Sequence, residues 1–299
     1  MAAKSTQTVE VEGRTLTLSS LGKVMYPETG TTKGDVIAYY TAVAPHLLPY
    51  AQGRPVTRKR WVNGVGTAEK PGMVFFQKDV DDTTPDWVER RVIHHRDHDN
   101  SYPLLDLPTL VWLAQIAALE LHVPQWRFTD AGEPGAPDRM VLDLDPGEGA
   151  GLPECVEVAK LVRTALAGRG LETVPVTSGS KGIHLYAPLD GRATSAEIAE
   201  VAHELARSLE GDHPDLVIST MKKADRRGKV MLDWSQNNAS KTTVAPYSLR
   251  GRTKPYVAMP RTWGEITSGR LRQIELGEVM GLIARRGDAA APLRPTNAG

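Results

Sequence analysis

The sequence predicts an α+β fold, and three features carry the prediction. Residues 173–177 and 183–186 read as two strands joined by the tight turn Ser178-Gly179-Ser180-Lys181-Gly182, which makes a hairpin rather than a crossover. Helical stretches fall irregularly between such strands, without the steady strand-helix alternation of a doubly wound sheet. In the middle of the chain lies a short apolar strand bearing two acids, Val141-Leu142-Asp143-Leu144-Asp145, closed by the turn Asp145-Pro146-Gly147.

Taken in order, Val36, Ile37, Tyr40, Val43, Leu47 and Leu48 recur at helical spacing and predict the first long helix. Residues 55–62 alternate like a strand, and 72–78 predict another, carrying Phe75 and Phe76. A short helix over 109–118 leads into an alternating strand at 119–123. After the acidic strand, 153–167 read as a helix ended by Gly168 and Gly170. Thr194 with Glu197 has the capping-box spacing that opens a helix running to about Leu209. Strands at 216–219 and 229–233 follow, then a loop-rich basic segment and a last helix over 271–285. There is no internal repeat. Residues 1–7 and the Ala- and Pro-rich tail from Asp288 lack apolar periodicity. At 299 residues the chain could form one large domain or two closely packed ones. The expectation is a single domain over 1–299, with an ordered core over about 8–287 and flexible ends.

Composition sets limits on function. The 36 basic and 36 acidic residues cancel, so overall charge says nothing in favour of nucleic acid. Its distribution says more: between Met221 and Lys254 nine basic residues stand against two acids, and Arg54, Arg58, Lys59 and Arg60 make a second basic block. Such local surfaces suit a polyphosphate or a nucleic-acid backbone, although Lys222 and Lys223 taken singly read as a solvated face. One cysteine, Cys155, excludes an internal disulfide and a Cys-based zinc cluster and fits a reducing compartment; on its amphipathic helix it reads as core. No apolar run is long enough for a signal peptide or a membrane span, so a cytoplasmic protein with no membrane partner is expected.

The chemistry centres on the acids. Alternation along a strand points Asp143 and Asp145 the same way, roughly 6 to 7 Å apart, and a third acid, Asp233, ends the apolar run Val230-Met231-Leu232. Carboxylates so placed are costly unless hard divalent cations hold them, and two shared cations are what in-line displacement at phosphorus needs. The competing reading is a strand that simply ends in an Asp-Pro-Gly turn. In residues 177–184 two glycines, Ser178, Ser180, Lys181 and His184 crowd together; glycines let backbone N–H groups approach a phosphate, hydroxyls donate and Lys181 adds charge. The spacing is not that of a Walker A loop, and a plain Gly-Ser turn is the alternative. His122 is either a satisfied core histidine or a partner for a sugar hydroxyl. Of Phe75 and Phe76, one must face away from a one-sided core, where a ring can stack on a base. Ser-His-Asp hydrolysis is not supported, since no Gly-x-Ser-x-Gly elbow occurs.

In this order the motifs resemble the archaeo-eukaryotic primase superfamily, with its Asp-x-Asp strand, Ser-x-x-His-type turn and later strand Asp. Together with Thr57-Arg58-Lys59-Arg60-Trp61, Leu121-His122-Val123-Pro124-Gln125-Trp126, Asp233-Trp234-Ser235-Gln236-Asn237 and residues 245–252, they are similar to the polymerase domain of bacterial DNA ligase D, from about Leu18 to about Arg285. The resemblance implies a primase-type fold, with antiparallel-rich sheets flanked by helices around a central catalytic cleft. It implies a template-dependent nucleotidyltransferase of DNA repair that extends primer 3′ ends and fills short gaps with ribo- or deoxynucleotides, ribonucleotides preferred, using two divalent ions, Mn²⁺ or Mg²⁺. Asp143, Asp145 and Asp233 match its metal-binding acids. Ser178, Ser180, Lys181 and Arg226 match its triphosphate contacts, with Lys59 and Arg252 as helpers. His122 matches the residue near the sugar, Gln236 one close to the incoming nucleotide, and Phe75 and Phe76 the pair by the template. Lys23 and Lys33 match lysines that hold a downstream 5′-phosphate at a gap. The implied partners are gapped or end-containing DNA and nucleoside triphosphates, with Ku and a separate ATP-dependent DNA ligase alongside in the bacterial nucleoid. No ligase Lys-x-Asp-Gly motif is present, so sealing is not expected of this chain, whether it is a stand-alone member or an excised domain. A metal-dependent phosphodiesterase and a non-catalytic DNA-end-bridging module are the rival readings.

Overall fold

Alternation in the acidic strand organises the molecule. In the computed structural model, which describes residues 6–294, this strand runs from Arg139 to Pro146 near the middle of a six-stranded sheet. Across the sheet the order is Val217–Ile218, Val230–Asp233, Arg139–Pro146, Ile183–Pro188, Val174–Thr177 and Met259–Pro260, antiparallel except for the first pair. Met140, Leu142 and Leu144 face one side. There they pack on the buried stripes of helix α3 (Leu152–Ala167), including Cys155, Val158 and Val162, and of α4 (Ser195–Asp212), including Ala202, Leu205 and Leu209. Both stripes recur at helical spacing, as expected for amphipathic helices laid on a sheet.

Val141 faces the other way, into a second core shared with Tyr186, Val176 and Val244. That core joins the first sheet to a four-stranded antiparallel sheet of order Thr243–Val244, Ala118–Val123, Thr57–Arg60 and Phe75–Gln77. Helices α1 (Lys33–Ala51) and α2 (Leu107–Gln115) contribute to this second core, where Tyr40 and Leu47 meet Leu110 and Leu113. The α+β class and the paired antiparallel-rich layers are as the sequence predicts. Among the described residues no helix is long and apolar enough to cross a membrane.

Several boundaries differ from expectation for identifiable reasons. Helix α2 starts at Leu107 because Asp106 caps it, accepting from the Thr109 N–H, and it ends at Gln115 because Ala117 adopts a positive φ of 64° and turns the chain into the next strand. The last long helix, α5 (Leu276–Arg286), begins five residues late, since Ile274–Glu275 pairs as a strand with Tyr256–Val257. The strand placed at 72–78 shortens to Phe75–Gln77. Two hairpins, Thr6–Val11 with Arg14–Ser19 and Arg90–His94 with Asp99–Pro103, had no reading in the sequence.

The ends also need correction. Thr6 and Gln7 are strand residues, and the Asp288 side chain is buried rather than loose. Its carboxylate accepts from the Tyr50 hydroxyl at 2.6 Å and from the Tyr247 hydroxyl at 2.5 Å, and pairs with Arg294 at 3.1 Å. The flexibility expected of residues 1–5 and 295–299 lies outside the described residues. Asp288→Ala would leave two phenols without their acceptor, and a loss of about 1–3 kcal/mol in unfolding free energy is expected by chemical denaturation. An unchanged denaturation midpoint would show that the tail does not clasp the fold.

Candidate active site

The face that buries Val141 carries Asp143 and Asp145 as well, and there residues of both sheets line a cavity. Asp233 lies directly across the ladder from Asp143, and His184 is paired with Asp143 on its other side, so three acids and a histidine share one patch. Burial, together with the charges of Asp233 and Asp145, pushes the Asp143 carboxyl up to about 7. The His184 imidazole is pushed down to about 3, first by burial and then by Arg250 and His122. His184 is therefore neutral at physiological pH, and its 3.4 Å approach to Asp143 is a dipolar contact rather than an ion pair. Among the described residues no three acids or histidines already converge as a chelate. The reason is visible in their present partners. Asp233 accepts from the Ser235 N–H and hydroxyl and from the Gln236 amide at 2.7–2.9 Å, while Asp145 leans to Arg226 at 3.6 Å.

A cavity of about 230 Å³ opens over these acids. Asp143 and Asp145 form its floor, with Ser178, Ser180 and Lys181 on one wall and His122, Gln236 and Arg252 on others. Eight of the candidate residues thus converge. Asp233, Lys59 and Arg226 stand just behind the lining, where Lys59 meets Glu120 at 3.3 Å and Arg226 meets Asp145.

The Ser178-to-Gly182 turn works differently from the expected phosphate cradle. Its Ser180 and Gly182 N–H groups both donate to the Ser178 hydroxyl at 3.2 Å, and the Gly179 N–H donates to the Gln273 side chain at 2.8 Å. These backbone donors are already used. Gly182 is required instead because a Cβ there would lie 1.9 Å from the Leu144 carbonyl oxygen, so the turn lies flat against the acidic strand. Since the Ser178 oxygen already accepts twice, its own hydrogen is left to donate, which suits an anion.

The four-stranded sheet supplies two further surfaces from a single strand. Lys59 pairs with both Glu120 and Phe76, while Arg60 pairs with Phe75, and neighbours along a strand point to opposite faces. Phe75 and Phe76 are 43% and 56% exposed, so the core reading fails for both rings. On the Arg60 side a second cavity of about 210 Å³ brings together Lys23, Lys33, Arg60, Ser20 and Gln115. Lys23 donates to the Asn63 side chain and Lys33 to the Gln115 carbonyl. The two lysines, ten positions apart in sequence, thus share one pocket.

Sequence reasoning passed over Glu120, Arg250 and Arg60 as site residues. Glu120 and His122 have the same strand parity, which is the signal that would have put both on the cleft face. Arg250 lay inside a quoted motif; it donates to the Ser178 carbonyl at 2.5 Å and approaches Glu120 at 3.3 Å. Lys254, counted in the basic segment, is engaged by Glu28 and Glu275. Lys222 is exposed, as expected.

Known proteins give the arrangement its family. The model of the LigD primase-polymerase domain matches residues 32–290. The multifunctional non-homologous end joining DNA repair protein LigD of Mycobacterium tuberculosis is 52% identical over 279 residues, covering 91% of this chain and 36% of that protein. Bacillus subtilis LigD, a bifunctional non-homologous end joining protein, is 32% identical over 257 residues, covering 85% of this chain and 40% of its own length. The chain therefore spans little more than a third of these relatives. The solved polymerase domain of Mycobacterium tuberculosis ligase D, in complex with DNA, superimposes with a TM-score of 0.89 at 50% identity, covering 93% of this chain and 98% of that one. LigD primase-polymerase domains are DNA-directed nucleotidyltransferases and depend on metal. Backbone and sequence agree over nearly the whole length, and the chain belongs to the LigD primase-polymerase domain family.

Proposed function

We propose that this chain extends primer 3′ ends and fills short gaps in DNA during end joining, under the direction of a template strand and with ribonucleotides preferred. One observation carries the reading: three carboxylates meet on a sheet face beneath a cavity whose walls donate hydrogen bonds and positive charge. In this reading Asp143, Asp145 and Asp233 hold two divalent cations, Mn²⁺ or Mg²⁺. The donor set suits hard cations, and burial with the neighbouring charges of Asp233 and Asp145 raises the Asp143 carboxyl, a cost that a bound cation would offset. Such ions, when bound, would activate the attacking oxygen and neutralise charge at the phosphorus.

The reaction is attack of the primer 3′-hydroxyl on the α-phosphate, with pyrophosphate leaving. Ser178, Ser180 and Lys181 would grip the triphosphate, aided by Lys59, Arg226 and Arg252. Ser178 does so as an obligate donor. His122 would meet the sugar, and Gln236, bonded to Asp233, would lie beside the incoming nucleotide. Ku and a separate ATP-dependent ligase are the partners this role calls for, and a bacterial nucleoid its location.

The exposed Phe75 and Phe76 would support the template. Phe76→Ala is expected to weaken productive DNA binding by about 1–3 kcal/mol while leaving triphosphate affinity and thermal stability unchanged. Fluorescence anisotropy with primer-template DNA measures this, and unchanged DNA affinity, or a loss that only follows a collapse of the melting temperature, would remove the ring from the template contact.

Incubation with a gapped duplex, Mn²⁺ and nucleotides tests the whole reading. Extension supports it. Shortening of the strand would identify a phosphodiesterase, and binding without change would identify an end-bridging module.

A further inference from the structure

Glu120 does not line the cavity, yet four groups of the site converge on it. It is only 3% exposed. One oxygen takes a hydrogen bond from His122 Nε2 at 2.8 Å and lies 3.3 Å from the Lys59 ammonium. The other accepts from the Gly251 N–H at 2.9 Å and lies 3.3 Å from the Arg250 guanidinium. Burial alone would raise the Glu120 carboxyl, but the His122 hydrogen bond and the charges of Arg250 and Lys59 hold it well below the usual carboxylate range. An ionised carboxylate only accepts. His122 must therefore carry its proton on Nε2, and since burial lowers its basicity below the ordinary value the ring is neutral. Its Nδ1 is left as a bare acceptor on a residue that lines the cavity.

We propose that Glu120 is the positioning residue that sets sugar selectivity: by holding His122 in the Nε2–H tautomer it turns the cavity wall into a hydrogen-bond acceptor, which favours a sugar bearing a 2′ donor. This rests on the reading of the cavity as a nucleotide site in which His122 meets the sugar. A 2′-hydroxyl or a 2′-amino group donates to Nδ1. A 2′-fluoro or a 2′-deoxy sugar cannot, and leaves a buried acceptor without a partner, which is how a hydrogen-bonding site rejects an analogue lacking the group.

Glu120→Gln reverses the polarity. The Gly251 N–H and Arg250 retain the amide oxygen, so the amide nitrogen donates to His122 Nε2 and drives the proton to Nδ1. The experiment measures kcat/KM for ribo-, 2′-amino-, 2′-fluoro- and 2′-deoxynucleoside triphosphates on one gapped duplex. Wild type is expected to favour the two donors over the two non-donors by about threefold to tenfold. In Glu120→Gln that ratio should fall towards one, alongside a general loss of efficiency through Lys59 and Arg250. Long-range ¹H–¹⁵N correlation on wild type, with His122→Gln to assign the ring, reads the tautomer directly and does not depend on the variant folding. A protonated Nδ1 at pH 7.5 overturns the proposal, as does unchanged discrimination in a folded Glu120→Gln. If wild type shows a bare Nδ1 but no preference among the four sugars, the failure lies in the sugar-contact reading, and the selectivity proposal falls with it.

Discussion

Asp143→Asn, Asp145→Asn and Asp233→Asn are each expected to lower primer extension by about three orders of magnitude or more, since the metal-assisted step is worth several kcal/mol and each 1.36 kcal/mol is about tenfold in rate. The expectation rests on adjacency rather than on the acids individually: Asp143 and Asp233 are cross-strand partners, and Asp145 is the next residue on the same face. An amide of the same shape keeps at Asp233 the hydrogen bonds received from Ser235, on one oxygen, gives up the one from Gln236 on the other, and cannot supply charge to a cation. Single-turnover extension on a gapped duplex in Mn²⁺ is the measurement. Near-wild-type extension by any one of the three would remove that residue from the metal site.

The same acids make a prediction for stability. Asp143 titrates near 7 in the folded chain against 3.8 as a free side chain, so the folded state holds its proton more tightly than the unfolded state does. A carboxyl shifted upward costs nothing while protonated and destabilises the fold as pH rises through this interval. In metal-free protein Asp143→Asn should therefore melt higher than wild type above about pH 7, with the gap closing as pH falls towards about 4. Added Mn²⁺ should reverse the order, because only wild type gains from the cation. A variant that melts lower than metal-free wild type at pH 8 would mean that Asp143 is held by contacts rather than strained by repulsion.

Strand alternation and short motifs made much of the catalytic floor legible. The spacing of Asp143 and Asp145 fixes a shared face whatever the sheet order, and the turn at Ser178 is closed by neighbours in sequence. Pairing across the sheets is another matter. The apolar run before Asp233 marks it as a candidate third acid and the family resemblance matches it to the metal-binding acids, but nothing near it in sequence announces that it lies opposite Asp143. Gln273, which holds the Gly179 N–H and lies 3.4 Å from the Gly182 carbonyl, sits in a stretch with helical periodicity; tertiary contacts overrode the local preference there. Asp288 went unread because an Ala- and Pro-rich tail gives no periodic signal, whereas its burial depends on two tyrosines more than 40 residues away. The expected backbone cradle for phosphate failed for a local reason, since the Ser178 hydroxyl competes for the same N–H groups.

Replacing Lys23 and Lys33 together is expected to weaken binding of a 5′-phosphorylated gap on the order of 10²- to 10⁴-fold, since hydrogen bonds to charged groups are worth about 1.5–3 kcal/mol each. Both lysines line one cavity with Arg60 and Ser20, and Arg60 comes from the strand that sends Lys59 to the opposite face. One short strand would thus couple the nucleotide site to the pocket for the far side of a gap. A terminal phosphate carries more charge than a diester and is the ligand such a pocket would select, whereas ordinary backbone contacts position DNA without preference. Lys23→Gln with Lys33→Gln should therefore lose the phosphate preference and flatten the salt dependence of binding to phosphorylated gaps, while open primer-template is bound almost as before. Lys33 is largely buried at the start of α1, so a melting curve must accompany the binding data. Affinities for matched gaps with and without the phosphate, taken across a salt series, decide the matter. Equal loss on every DNA, or a wild type indifferent to the phosphate, would reduce the pocket to ordinary surface charge and leave gap filling without its local support.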